Sequence, residues 1–129
     1  MRVESLDVLL ARADVVSLHC PATPETRHLM NARTFALMPE HAYLVNTARG
    51  DVVDEAALTA VLKDRKIAGA GLDVYEFEPS VTAELKELEN VVLLPHLGSA
   101  TIETRTNMGM RALFNLDSFV ATGIVTDAV

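Results

Sequence analysis

Short apolar runs alternate with helix-like stretches along the whole of this sequence. Four runs have the length and composition of β-strands, namely Val15–Leu18, Ala42–Asn46, Ile67–Val74 and Val91–Leu94. Between them, apolar residues recur at the spacing of one helical face, as in Ala57, Leu58, Val61 and Leu62. Strands that alternate with helices are joined by right-handed crossovers and form parallel sheets. We therefore predict an α/β fold with an open parallel sheet of about four strands and flanking helices.

Residues with helix-capping side chains precede the helix-like stretches and predict where the helices begin. The predicted caps are Ser5 before Leu6, Asn31 before a helix over Ala32–Met38, Asp54 before Glu55, and Thr101 before a long helix that Gly123 ends. A further short helical piece is predicted over Thr26–Met30. The strand runs are almost continuously apolar, which is typical of a sheet whose two faces are both covered.

The composition is that of a globular domain without a nucleic-acid or membrane partner. The chain has 129 residues, of which 50% are hydrophobic, and this suffices for one domain with a core. Its formal net charge of −7 disfavours binding to a phosphate backbone, and no apolar run approaches the ~20 residues that span a bilayer. The single cysteine, Cys20, permits no internal disulfide and suits a reducing compartment, so we expect a cytoplasmic protein.

Polar side chains follow each of the four predicted strands. They are His19–Pro21 after the first strand, Asn46–Gly50 after the second, Asp73, Glu76 and Glu78 after the third, and His96 after the fourth. Ligands of open parallel sheets bind beyond the carboxyl ends of the strands, which lie along one rim. We therefore expect a guanidinium, a carboxylate and an imidazole to converge on one site.

These three side-chain types suit proton transfer on a small acid. An arginine presents a planar fork of donors that matches a carboxylate. A histidine gives or takes a proton near neutral pH, and a neighbouring carboxylate holds one tautomer and favours the protonated ring. The set contains no electron carrier, so a redox reaction at this site would require a bound cofactor.

Six motifs, spread in order over nearly the whole chain, resemble those of the D-isomer-specific 2-hydroxyacid dehydrogenases. They are Leu18-His19-Cys20-Pro21, Pro24-Glu25-Thr26, Val45-Asn46-Thr47-Ala48-Arg49-Gly50, Gly71-Leu72-Asp73-Val74-Tyr75, Glu78-Pro79 and Pro95-His96-Leu97-Gly98-Ser99-Ala100-Thr101. The glyoxylate/hydroxypyruvate reductase branch is the most similar. The resemblance implies NAD(P)-dependent reduction of a small 2-oxo acid and a Rossmann-like sheet.

The same resemblance implies a role for individual residues. Arg49 would hold the substrate carboxylate and keto oxygen, His96 would be the acid/base, and Glu78 would pair with His96. Asp73 would lie beside the nicotinamide amide of NAD or NADP. The remaining segments implied to contact the cofactor contain Cys20, Pro21, Glu25, Thr47, Ala48, Gly98 and Ser99, and Arg49 and His96 lie next to it as well.

The glycine-rich phosphate loop and the substrate lobe of that family have no counterpart in this sequence. Gly69-Ala70-Gly71 is followed by Val74 where such a loop needs a third glycine, so we assign this stretch to a strand. We therefore expect residues 1–129 to be a single domain, the second half of a dinucleotide-binding domain. NAD binding by this chain alone should be weak, because the helix N-terminus that holds the pyrophosphate belongs to the first half. The first strand would then have an unpaired edge, which favours a homodimer or a larger assembly.

Other interpretations of the same residues are open. A nucleotide-sensing protein similar to the C-terminal-binding corepressors would keep a similar triad, and a catalytically inert, self-associating fragment is a third alternative. Cys20 beside His19 suggests a thiol nucleophile, but most single cysteines are small buried hydrophobes and adjacent strand residues point to opposite faces, so we favour a buried thiol. No ligand spacing repeats around His19, Cys20 and His96, so no metal site is predicted. His28 and His41 are predicted to be surface residues.

Overall fold

The computed structural model describes residues 3–128, and the chain divides into two compact units, residues 1–96 and 97–129. The first unit contains the sheet and the second contains one long helix. No helix within residues 3–128 is both long enough and apolar enough to cross a membrane.

The first unit is built on a four-stranded parallel sheet whose strand order follows the chain. The strands are β1 (Val15–Leu18), β2 (Tyr43–Asn46), β3 (Gly69–Leu72) and β4 (Val91–Leu93). The register aligns Val16 with Leu44, Leu44 with Ala70, and Ala70 with Val91. This confirms the predicted α/β fold, and it brings the carboxyl ends of all four strands to one rim.

Of the three α-helices that the structure describes in the first unit, one precedes β1 and two connect strands, and each begins at its predicted cap. They are α1 (Leu6–Leu10), α2 (Ala32–Phe35) and α3 (Glu55–Lys63). The Ser5 hydroxyl accepts the N–H of Val8, and the Asp54 carboxylate accepts the N–H of Ala57. Asn31 and Thr34 form a reciprocal capping box. These side chains satisfy N–H groups that the first helical turn leaves without backbone partners.

The core lies on one face of the sheet. The buried face carries Val16, Leu18, Leu44, Ala70 and Leu72, which pack in one cluster with Leu10, Phe35, Leu58, Leu62 and Leu85. The opposite face, which we call the open face, presents Val15, Tyr43 and Val92, each at least half exposed. The prediction that both faces are covered is therefore wrong for the described residues. Right-handed crossovers between consecutive strands place all their helices on the same side of the sheet.

The segment Thr26–Met30 forms a turn, so the helical piece predicted there is wrong. The backbone of His28 is left-handed, with a φ of 50°, and such a residue ends any helical path. The N–H groups of His28 and Met30 donate instead to the carbonyls of Asp51 and Val52. This pairing joins residues more than twenty positions apart, so the spacing of apolar residues within the segment could not predict it. The helix predicted over Ala32–Met38 is shorter as well, since α2 ends at Phe35.

Gly69 and Gly71 both lie inside β3, as predicted when they were rejected as a phosphate loop. Gly69 allows a close approach, because a Cβ at that position would lie 2.6 Å from the carbonyl oxygen of Asn90. The glycine at position 69 therefore lets β3 lie close to the residue that precedes β4.

The second unit contains α4 (Ile102–Thr122). Thr101 caps it as predicted, with its hydroxyl accepting the N–H of Thr104 at 3.1 Å. Gly123 ends it in the left-handed conformation, with a φ of 74°, also as predicted. Within this unit the Arg111 guanidinium pairs with the Asp127 carboxylate, which ties the C-terminal segment to the helix.

Candidate active site

Arg49, Glu78 and His96 line one small cavity of about 220 Å³ in the first unit. Arg49 follows β2, Glu78 follows β3 and His96 follows β4, so three parallel strands deliver the three groups to the same rim. The other lining residues are Ala22, Gly50, Asp51, Tyr75 and Glu76. The cavity is smaller than the roughly 300–1,000 Å³ of pockets for drug-sized molecules and suits a small ligand.

Glu78 and His96 form a hydrogen-bonded pair. One carboxylate oxygen, Oε2, lies 3.0 Å from the His96 Nδ1. The other, Oε1, accepts the N–H of Tyr75 at 2.9 Å. Because an ionised carboxylate only accepts hydrogen bonds, His96 Nδ1 must carry a proton. The ring's other nitrogen, Nε2, then remains available to exchange a proton with a ligand oxygen.

The backbone of His96 is left-handed, with a φ of 55°. This conformation is uncommon for residues other than glycine, although histidine, like asparagine and aspartate, adopts it more often than most, and it costs free energy. The side chains around His96 do not enclose it, since 49% of its side chain is exposed. The unusual backbone thus directs a half-exposed imidazole toward Glu78.

The pKa of Glu78 lies below its ordinary value of 4.5, chiefly because its carboxylate accepts a hydrogen bond from His96. The Tyr75 N–H and the positive charges of His96 and Arg49 lower this pKa further, against the opposing effect of burial. A lowered folded-state pKa means that the ionised carboxylate stabilises the fold above the unfolded-state value. This stabilisation is lost as the pH falls through the lowered value.

We expect a ¹³C NMR titration of the Glu78 carboxyl to give a midpoint below 4.5. In the variant His96→Asn the midpoint should move back toward the ordinary value, because the largest cause of the shift is removed. A midpoint at or above the ordinary value in the unsubstituted chain would contradict the observed pairing.

Arg49 lies on a loop that a buried amide holds in place. Asn46, at the end of β2 and 1% exposed, donates its Nδ2–H to the Arg49 carbonyl and accepts the Ala48 N–H with its Oδ1. The guanidinium of Arg49 is exposed and donates to the Ala48 carbonyl at 2.6 Å. The guanidinium has four further N–H donors that could bind an anion.

Gly50 joins the Arg49 loop to the Glu78 loop by direct backbone contact. A Cβ at position 50 would lie 1.9 Å from the carbonyl oxygen of Tyr75 and 2.5 Å from the N atom of Glu76. Such distances do not occur between real atoms, so any larger residue must push the two loops apart. Glycine is required here by a close approach of two backbones.

A second cleft, of about 530 Å³, lies at the carboxyl ends of β1 and β2. Five of the residues implied to contact a cofactor line it, namely Cys20, Pro21, Thr47, Ala48 and Arg49, together with His19 and Ala22. Glu25 is exposed and lies outside this lining. Asp73 is buried at the end of β3, where its N–H donates to the Asn46 carbonyl. Gly98 and Ser99 belong to the second unit.

Two buried carboxylates near the site were not predicted as site residues. Glu55 is 3% exposed at the start of α3. Glu76 has a 6% exposed side chain that pairs with His28 at 2.6 Å. The prediction that His28 is a surface residue is therefore only partly right, since 32% of its side chain is exposed. The sequence does place Glu76 after β3, two residues before Glu78. Nothing in the local sequence, however, shows which of the two carboxylates bonds His96 and which bonds His28.

Residues 1–98 match the family model for the NAD-binding domain of the D-isomer specific 2-hydroxyacid dehydrogenases. A protein of Staphylococcus aureus (strain USA300) that bears a provisional 2-hydroxyacid dehydrogenase name is 50% identical over 103 residues. This alignment covers 80% of the present chain and 32% of that protein. The chain thus spans about a third of the length of the curated relatives it matches.

Two solved structures are similar in sequence and in fold. An NADPH-dependent glyoxylate/hydroxypyruvate reductase from Sinorhizobium meliloti, solved with NADP and malonate, has a TM-score of 0.94 at 38% identity. It covers 97% of this chain and 39% of its own. A glyoxylate reductase from Paecilomyes thermophila has a TM-score of 0.92 at 42% identity, covering 97% of this chain and 38% of its own.

Proposed function

Because the chain belongs to the D-isomer-specific 2-hydroxyacid dehydrogenase family, we propose that it supplies the acid/base and carboxylate-binding residues of an NAD(P)-dependent oxidoreductase that interconverts small 2-hydroxy and 2-oxo acids. The observation that carries the proposal is the shared cavity of Arg49, Glu78 and His96. These are the three groups that binding and protonating a 2-oxo acid require.

Arg49 binds the substrate in this proposal. Its guanidinium donates two parallel hydrogen bonds to the carboxylate of the acid and polarises the neighbouring keto oxygen. This contact fixes the distance between the 2-carbon and His96, because the acid is held at one end by a planar fork. The Asn46 amide holds the backbone of Arg49, so the point from which the guanidinium reaches the substrate is fixed before binding.

His96 transfers the proton. In the reducing direction its protonated ring donates the Nε2 proton to the oxygen that becomes the hydroxyl, and in the oxidising direction neutral Nε2 accepts it. Glu78 remains bonded to Nδ1 at 3.0 Å and stabilises the ring's positive charge whenever it forms. The two oxygens of Glu78 have separate tasks, one on His96 and one on the Tyr75 N–H.

The position of the cleft beyond β1 and β2 supports a nicotinamide site, since it lies at strand carboxyl ends and includes Arg49 in its lining. Cys20, Pro21, Thr47 and Ala48 would hold the cofactor there. When bound, NAD or NADP supplies or accepts the hydride at the 2-carbon. The sequence does not contain the residue that reads the ribose 2′ position, so either cofactor is consistent with the proposal.

Glyoxylate or hydroxypyruvate is the proposed substrate. Both are small acids that a cavity of about 220 Å³ can admit. The two similar solved proteins described above are a glyoxylate/hydroxypyruvate reductase and a glyoxylate reductase.

Replacing Arg49 with lysine tests the function directly in the catalytically active polypeptide that carries this sequence. We expect kcat/KM for glyoxylate to fall about 10–100-fold, because a bidentate hydrogen bond to a charged group is reduced to a single point charge. Steady-state oxidation of NADH or NADPH measures it. The matched control is Arg33→Lys, since Arg33 also bonds both oxygens of a carboxylate, that of Asp7, but on the surface. Equal effects of the two substitutions would refute the proposed role of Arg49.

We also propose that residues 1–129 act as one dinucleotide-binding half-domain that self-associates. Within residues 3–128, β1 pairs only with β2 and leaves its other edge unpaired, and such edges accept strands from other chains. The apolar open face adds surface that association would bury. Static light scattering should give at least twice the chain's 14.0 kDa, and a monomer at high concentration would count against this.

A further inference from the structure

One buried carboxylate outside the proposed catalytic residues holds both ends of the segment that carries Glu78. Glu55 accepts the N–H of Glu76 with its Oε2 at 3.0 Å. It accepts the N–H of Thr82 with its Oε1, also at 3.0 Å. The two amides lie on either side of Glu78 in the chain. A single side chain at the start of α3 therefore anchors the path of residues 76–82.

The contact between the helix start and the segment is reciprocal. The Glu76 Oε2 accepts the N–H of Glu55 at 3.2 Å, which satisfies a donor that the first turn of α3 leaves unpaired. The Glu76 Oε1 lies 2.6 Å from the His28 Nε2 and 3.3 Å from the Arg27 Nη2. The segment is thus attached through the buried Glu76 carboxylate to α3 and to the turn before α2.

Besides the Glu55 and Glu76 contacts, residues 76–82 have one backbone bond of their own, from the Ser80 N–H to the Phe77 carbonyl, and the partly buried Val81, which packs against the core. These residues form neither helix nor strand, so no regular ladder of backbone hydrogen bonds fixes them. Phe77, the large apolar residue beside Glu78, is 61% exposed and does not anchor the segment in the core. Segments with few buried apolar contacts open locally unless specific bonds prevent it. Of the contacts that hold the segment, the two made by Glu55 are the ones that lie on both sides of Glu78 in the chain.

We propose that Glu55 is a positioning residue for the Glu78–His96 pair: its carboxylate sets the path of residues 76–82 and so brings Glu78 Oε2 to His96 Nδ1. This inference rests on the proposed function and extends it. The position requires a carboxylate, because both of its oxygens face N–H donors. Glutamine offers only one accepting oxygen, and its NH₂ group would face the second donor.

The tautomer of His96 reports the pairing without an activity assay. A neutral histidine that is free in solution favours the Nε2–H form, whereas the bond to Glu78 requires Nδ1–H. Imidazole ¹⁵N NMR of the full chain, at a pH where the ring is neutral, distinguishes the two forms. A residue that only stabilised the fold would not change the tautomer in a chain that is still folded.

We expect His96 to carry its proton on Nδ1 in the unsubstituted chain and mainly on Nε2 in Glu55→Gln. Glu55→Asp should have the same effect. It keeps the negative charge at the helix start, which preserves folding, but is too short to reach both amides. The matched control is Glu87→Gln, at an exposed glutamate, and it should leave the tautomer unchanged. Circular dichroism establishes that each variant is folded.

The outcomes separate this inference from the proposed function. In Glu78→Ala the His96 proton must move from Nδ1 mainly to Nε2. If it stays on Nδ1, the pairing in the proposed function fails. If this shift occurs in Glu78→Ala but not in folded Glu55→Asp, only the role of Glu55 is overturned.

One measurement needs no variant: the Glu76 and Thr82 amides should exchange with solvent at least about tenfold more slowly than in an unstructured peptide. Unprotected amides would overturn the inference.

Discussion

Replacing His96 with asparagine should lower kcat by about 10²–10⁴-fold in the catalytically active polypeptide, the range that a positioned general acid contributes. Asparagine cannot transfer a proton near neutral pH. Among polar side chains, asparagine is also one of those that tolerate the left-handed backbone at this position, where φ is 55°. The loss should therefore reflect the missing imidazole and not a rearranged loop. Initial rates of NADH or NADPH oxidation with glyoxylate measure it.

KM for glyoxylate should change much less than kcat in the same variant, because Arg49 and not His96 binds the carboxylate in the proposed mechanism. The control is His41→Asn. His41 is another histidine bonded to a carboxylate, with its Nε2 2.9 Å from the Asp14 Oδ1, but its side chain is 68% exposed. A kcat for His96→Asn within a few-fold of the unsubstituted enzyme would remove the acid/base role.

Replacing Gly50 with alanine should reduce the free energy of unfolding by about 1–3 kcal/mol, the usual range for overpacking. The added Cβ would lie 1.9 Å from the carbonyl oxygen of Tyr75. This obstacle is backbone, so no side chain can rotate away to relieve it. The loops that carry Arg49 and Glu78 must separate, and activity should fall together with stability. Urea denaturation followed by circular dichroism measures the loss.

Gly71→Ala is the matched control for this prediction. Gly71 lies in β3, and a Cβ there would meet no atom within 4 Å. Alanine also restricts the unfolded chain more than glycine does, so this variant should be neutral or gain up to about 1 kcal/mol. If Gly50→Ala and Gly71→Ala have the same stability, the contact between the two loops does not limit the packing of the site.

The site is assembled by polar contacts between loops more than by the sheet itself. The strands bring Arg49, Glu78 and His96 to one rim, but the final positions depend on the Asn46 amide, the Gly50 contact and the two oxygens of Glu55. Each of these contacts is buried, so a lost partner leaves an unsatisfied donor or a clash. This explains why substitutions outside the proposed catalytic residues are expected to affect the site.

Local chemistry was sufficient to predict the helix starts and the strands. Ser5, Asn31, Asp54 and Thr101 each cap the helix that follows, because a capping bond joins residues only two or three positions apart. The order of strands and helices was sufficient for the parallel sheet, since consecutive crossovers allow few other arrangements. The convergence of three charged or polar groups followed from that topology.

Periodicity, capping and chain connectivity were enough to predict the four strands, the four capped helices and the residue types that meet at the strand ends, but not the turn at Thr26–Met30, where a helix was predicted. The pairing of Glu78 with His96 was implied by the family resemblance and by no local pattern. The bond between His28 and Glu76, and the exposure of Val15, Tyr43 and Val92 on one sheet face, depend on the tertiary structure. Glu55, Glu76 and Glu78 have the same side chain. Their contacts with His96, with His28 and with the Glu76 and Thr82 amides join residues 18 to 48 positions apart, and no local pattern encodes contacts at that separation.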